Sequence, residues 1–297
     1  MRYKDFILEY NDSGKLSYIV DIVTAKGYKI NGSVLEEEID KLLDVIRDSR
    51  KTNISSIPRW LRFINFRLQN YSSKPIARLL IFIYASFVLL NIFLVFIKPI
   101  KLFPIDYAFF SHFSSLQVVV GICIFITGLI VIHEGGHILV SILQGIPVSK
   151  LGFRMKYGIV PMVYVRLYPT MYRNKQINIA FAGLVADQIL FFAYLLGWDL
   201  SHLKSFQVSL LLQVVLTIFN YNLLFPSDLT QMLLSKLDYL DFRKDSFIYL
   251  QDIIKNRESI ILKKINILKI VYALLFYVLI ILMVVNIVSI FFFLIGE

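Results

Sequence analysis

Long uncharged apolar runs alternate with short basic connections along most of the chain, a pattern that predicts long helices. Five stretches, Leu79 to Ile97, Leu116 to Leu143, Ile179 to Trp198, Ser205 to Pro226 and Ile270 to Gly296, reach or approach the roughly 20 apolar residues a helix needs to cross a bilayer. The beginning of the chain is patterned differently. Leu16 to Val23 partly alternates like a strand, and Gly27 introduces a second extended piece, Tyr28 to Ile30. Ser33 with Glu36 forms a capping-box pair ahead of a helix whose Leu35, Ile39, Leu42, Leu43 and Ile46 share one face. A hairpin plus a helix is expected there, suited to docking or to tethering the leader of a substrate, or else a stabilising or regulatory extension with no ligand. Between residues 144 and 178, Gly145, Gly152, Gly158, Pro147 and Pro161 interrupt short apolar runs, which predicts a β-hairpin-like loop at the membrane interface. Such a hairpin could offer an edge to an extended peptide.

The expected fold class is therefore an all-α polytopic membrane protein with about five transmembrane helices, an interfacial β-hairpin-like loop and a small N-terminal α+β element. Residues 1–76 form the cytoplasmic element and linker, and residues 77–297 the membrane domain. Composition agrees: 57% hydrophobic residues, 18% charged and a mean hydropathy of +0.68 exclude an ordinary soluble domain. The net charge of +10 would otherwise suggest nucleic acid; the apolar spans assign it to a membrane face instead. The single cysteine, Cys123, excludes an intrachain disulfide and a thiolate cluster within one chain. The N-terminus carries no signal-peptide pattern, so insertion is expected to start from an internal span.

Charge also orients the spans. Gly145 to Lys175 carries Lys150, Arg154, Lys156, Arg166, Arg173 and Lys175 with no acid, and Arg59, Arg62, Arg67, Lys74 and Arg78 precede the first span. Positive residues stay on the cytoplasmic side, so a multi-pass cell-membrane protein with its N-terminus inside and C-terminus outside is expected.

Two acidic residues lie inside spans, Glu134 and Asp187, and such residues are retained mainly in a bundle interior or cavity. Glu134 belongs to His133-Glu134-Gly135-Gly136-His137, an HExxH sequence. On a helix, positions i and i+4 share a face, so both imidazoles can reach one Zn2+ while Glu134 approaches a water that the metal acidifies. Glu134 can then accept that proton and return it to the leaving amine of a peptide bond. The glutamate is the only charged side chain between Asp106 and Lys150, and burying a carboxylate without metal or partner costs roughly several kcal/mol. Catalytic zinc typically has three protein ligands. His112 and His202 fall at the outer loops in this topology, whereas Asp228 reaches the inner side with His133 and His137; its alternative role is a helix cap or turn residue.

With these residues the chain resembles the site-2 protease family of intramembrane zinc metallopeptidases, over residues 116 to 234 or so. The resemblance implies a three-helix catalytic core. One helix carries His133, Glu134 and His137; a second carries a small-residue motif, here Ala182-Gly183-Leu184-Val185-Ala186-Asp187, with Asp187 where a polar amide or small residue is usual. The third supplies an aspartate through an Asn/Pro/Asp signature, here Asn220 or Asn222 with Pro226 and Asp228, and Leu229 stands where a glycine is expected. Asn220 and Asn222 would then contact an extended substrate backbone or orient Asp228, with Gly183 and Asp187 in support.

The family further implies a zinc-dependent endopeptidase acting on a membrane-associated protein or precursor peptide, and the lack of an inserted PDZ-like domain points towards relatives linked to peptide maturation, with export or modification partners. Nucleic acid is not an expected partner. The competing classes are a noncatalytic binding, export or immunity factor that keeps a metallopeptidase fold, and a transporter using Asp187 and Glu134 as a proton path. Retention of Glu134 argues against the first, and the HExxH spacing against the second.

Overall fold

The computed structural model describes residues 2–3, 5–10, 14–21, 26–30, 36–49, 71–97, 113–156, 160–167, 170, 172–224, 227–237, 242–256, 266–279 and 281. They fall into two compact units, Met1–Asn220 and Tyr221–Glu297.

The first unit opens with a four-stranded antiparallel sheet, β1 (Arg2–Tyr3), β2 (Phe6–Tyr10), β3 (Leu16–Asp21) and β4 (Lys26–Lys29), in that order. Phe6, Leu8, Leu16 and Ile19 pack with Ile39, Leu43 and Ile46 of helix α1 (Glu36–Asp48) in one core. The expected hairpin is thus the second half of a larger sheet, and Ser33 of the expected capping box lies outside the described residues. The sheet is tied to the rest of the unit by side chains. Thr170 Oγ1 donates to Glu9 Oε1 at 2.7 Å, and Tyr172 Oη donates to Tyr10 O at 3.0 Å.

Among the described residues, three helices are long and apolar enough to cross a membrane: α2 (Ser73–Ile97), the continuous stretch Ser115–Leu143, and α5 (Arg173–Ser201). The protein is therefore a polytopic helical membrane protein. The stretch Ser115–Leu143 consists of α3 (Ser115–Gly128), a π-helical turn (Leu129–His133) and α4 (Glu134–Leu143). A capping box between Ser114 and Gln117 starts it, and Gly145, at φ +74°, ends it in the left-handed conformation glycine tolerates. The strands β5 (Val148–Lys156) and β6 (Val160–Leu167) follow as an antiparallel hairpin, as the interrupted apolar pattern predicts.

Burial singles out α5 as the central helix. In its most apolar stretch 61% of residues are buried, against 11% in α2 and 6% in Ser115–Leu143. Large exposed side chains such as Leu79, Phe82, Phe93, Leu116 and Val131 turn outwards from the other two, where a bilayer would receive them.

The helix of the fourth expected span, α6 (Lys204–Asn220), stops short of the expected end at Pro226 and has only 17 residues. Asn222 accounts for this, because its side-chain oxygen accepts the Leu224 N–H at 2.8 Å and its carbonyl accepts Ser227 Oγ at 2.9 Å. Short polar side chains that bond the local backbone favour a turn over a helix. Within the second unit the chain continues as α7 (Asp228–Leu237), α8 (Phe242–Asn256) and α9 (Asn266–Leu279). Helix α9 is the start of the expected fifth span, and residues 282–297 and Pro226 lie outside the described residues.

Candidate metal centre

HExxH lies where the π-helical turn passes into α4. An i→i+5 bond from Glu134 N–H to Leu129 O closes that turn. The added residue interrupts the α-helical register immediately before the motif, a placement π-turns often have at functional sites. Gly128, just before that turn, makes room for α5, since a Cβ there would stand 2.7 Å from Leu190 Cδ2 and against the Tyr194 hydroxyl.

Helix α4 rests on the small-residue stretch of α5. A Cβ built on Gly136 would lie 3.3 Å from Ala182 O and 3.5 Å from Ala186 Cβ, so the glycine allows the two backbones to approach closely. Gly183 is buried in the same stretch. This approach brings both imidazoles onto α5. His133 Nδ1 lies 2.9 Å from Asp187 Oδ1, and His137 Nδ1 lies 2.7 Å from Ile179 O. A carbonyl only accepts, so His137 donates from Nδ1, and a carboxylate at Asp187 asks the same of His133. The two rings are nearly perpendicular, with centroids 5.0 Å apart. His133 and Glu134 are buried and His137 partly so.

Glu134 leaves the helix towards the hairpin, where the Val165 backbone N–H donates to Oε2 at 3.1 Å. Neither Val165 N–H nor Ile179 O is visible to side-chain reasoning, because every residue carries the same backbone groups. Gln213 is a further residue that the motifs do not reveal: Nε2 lies 3.2 Å from Asp187 Oδ1, and the side chain is fully buried. Its signal in the sequence is an amide in the middle of an apolar helix, seven residues before Asn220.

The structure places Asn220 on Asp187, with Nδ2 2.8 Å from Oδ2, and gives Asn222 to the turn that ends α6. His202 is exposed at the C-terminus of α5 with φ 53°, and His112 lies outside the described residues. Asp228 opens α7, but Ser227 caps that helix by accepting the Thr230 N–H at 3.2 Å. Leu229 continues the helix, so no glycine-dependent turn follows the aspartate.

His133, His137 and Asp228 form a group able to hold a metal ion, one donor atom from each lying within 4.8 Å of the others. Two neutral imidazoles and a carboxylate also suit zinc chemically. No protein-family model, curated protein or solved structure matches the chain, so the assignment stands on these residues and their geometry.

Proposed function

We propose that the protein is a zinc-dependent intramembrane endopeptidase of site-2-protease type, hydrolysing a peptide bond in a membrane-associated protein or precursor peptide. Its catalytic core is residues 116 to 234 or so; His133, His137 and Asp228 hold the metal, and Glu134 is the catalytic base. The observation that carries this reading is the disposition of α4 on α5: His133 and His137 are both oriented through Nδ1, at 2.9 and 2.7 Å, and a donor atom of each lies within 4.8 Å of the other, beside the buried carboxylate of Glu134.

Bound zinc would supply Lewis acidity that polarises a peptide carbonyl and acidifies water. The remaining chemistry belongs to the chain. Glu134 takes a proton from the attacking water on a carboxylate oxygen and delivers it to the leaving amine nitrogen. The Val165 N–H steadies Glu134 through Oε2. A binding-only protein has no chemical need for the base, and a transporter has none for imidazoles at i and i+4. The N-terminal sheet serves as a docking element for substrate or an export partner, and the basic connections support a cytoplasmic location for it.

The test is Glu134→Gln, which keeps size and hydrogen bonding and removes the base. Mass spectrometry of membrane-bound and secreted small peptides from cells carrying each form should show a precursor accumulating in the variant. In proteoliposomes, cleavage of that precursor should fall about 10²–10⁴-fold while zinc content stays that of the wild type. Identical peptide profiles and unchanged cleavage would rule out the mechanism.

A further inference from the structure

The carboxylate of Asp187 is fully buried inside a membrane helix, where charge is costly. Three side chains from two other elements face it. His133 Nδ1 approaches Oδ1 at 2.9 Å, Gln213 Nε2 approaches the same oxygen at 3.2 Å, and Asn220 Nδ2 approaches Oδ2 at 2.8 Å. Gln213 and Asn220 are seven residues apart, two turns of α6, and so share the face turned to α5. Gln213 also reaches the Asp187 backbone carbonyl at 3.4 Å.

We propose that Asp187, gripped by Gln213 and Asn220, is the positioning residue for the metal ligand His133, making α6 part of the metal site without supplying a ligand. The inference rests on reading His133 as a ligand. It goes beyond that reading in assigning a function to the acid and to two amides of α6. Asp187 as a carboxylate can only accept, so its three neighbours all donate: the His133 proton is fixed on Nδ1, and Nε2 is held as the donor atom to the metal. A carboxylate on the far nitrogen also raises the basicity of the near one. His137 has a neutral carbonyl in the equivalent place, so the two imidazoles are unequal and His133 is the stronger donor. Amide donors suit this task in an apolar bundle. They satisfy the remaining lone pairs of the carboxylate without bringing a second charge into the membrane, and a cation in their place would compete with His133 for the acid.

The experiment measures metal binding by the purified full chain in detergent, without turnover. Zinc affinity is read by competition with a chromophoric chelator, and the ligand field by the visible spectrum of the cobalt-substituted protein. Asp187→Asn keeps the shape but presents a neutral oxygen to His133 and an amide to an amide at Asn220; zinc affinity should fall about 10–100-fold and the cobalt bands should shift. The double variant Q213A/N220A leaves the charge but frees its orientation, and should weaken zinc in the same direction. It also carries the test if Asp187→Asn fails to accumulate. Ser209→Ala is the control. That hydroxyl bonds Gly121 O at 2.8 Å between α6 and α3 and touches neither histidine.

Zinc affinity of Asp187→Asn within about twofold of wild type, or an equal loss in Ser209→Ala, would overturn the proposal. A wild type that binds zinc but cleaves nothing removes the peptidase reading alone. A wild type that binds no metal removes the site, and this inference with it.

Discussion

Gly135 and Gly136 are neighbours in the HExxH sequence with opposite surroundings, and an added methyl group separates them. At Gly135 a Cβ meets nothing within 4 Å; at Gly136 it meets the Ala182 carbonyl oxygen at 3.3 Å and Ala186 Cβ at 3.5 Å. Replacing glycine by alanine within a helix gains about 1 kcal/mol in propensity, and at Gly135 nothing opposes that gain. At Gly136 the obstructing atom is backbone, which cannot rotate away, so α4 must lift from α5 by a few tenths of an ångström. Overpacking of this kind costs about 1–3 kcal/mol. The same lift stretches the 2.7 Å contact of His137 and the 2.9 Å contact of His133 towards the limit of a good N–H···O bond, near 3.2 Å.

Gly135→Ala should therefore be as stable as the wild type or more so, with unchanged zinc affinity. Gly136→Ala should be less stable than Gly135→Ala by about 1–3 kcal/mol and bind zinc more weakly, and Gly136→Val should extend both effects. Reversible unfolding of the purified protein in mixed micelles, alongside chelator competition, measures the two quantities together. Equal stability and equal zinc affinity for the two alanine variants would refute the close-approach argument and the view that α5 sets the ligand geometry.

Other parts of the site make separate predictions. The pair H133A/H137A should abolish stoichiometric zinc, and D228A should lower zinc occupancy more than D187N does; since Ser227 performs the capping, expression of D228A should stay near normal, and a D228A protein with wild-type affinity would remove Asp228 from the ligand set. Tyr194 packs against Gly128 beside the π-turn, with its hydroxyl 3.4 Å from Ile124 O and 3.5 Å from Phe125 O. Gly128→Ala should then cost about 1–3 kcal/mol by overpacking, and Tyr194→Phe in the same background should restore part of it, read by the same unfolding assay. Single cysteines at Lys150 and Arg173 in a Cys123→Ser background should resist an impermeant thiol reagent added to intact cells, and labelling from outside would reverse the topology.

The three long spans were legible because crossing a membrane demands a long uncharged run, and a water-soluble helix, with one face in solvent, rarely carries one. The end of α6 was not. Apolar residues continue through Leu223 and Leu224, so a hydropathy pattern runs on towards Pro226, while the turn is made by Asn222 and Ser227 bonding the local backbone. The first half of the N-terminal sheet escaped for a related reason. Strand β2 alternates over only five residues, Phe6 to Tyr10, and a run that short carries little signal without its partner, β3.

At the site, the residues that meet a metal and those that aim them differ in how far sequence reveals them. HExxH announces itself because helix geometry links its spacing to one face. Its supports come from atoms or residues with no such spacing: a carbonyl at Ile179, an N–H at Val165, an amide at Gln213. Asp187 stood out as a charge in the membrane at the end of a small-residue motif, and its partners explain the charge. An acid there is tolerable because three donors surround it, and Ala182 and Ala186 let α4 come close enough for His133 to be one of them. The small residues and the acid of α5 thus act as one feature, the first setting the distance between helices and the second using that distance to orient an imidazole.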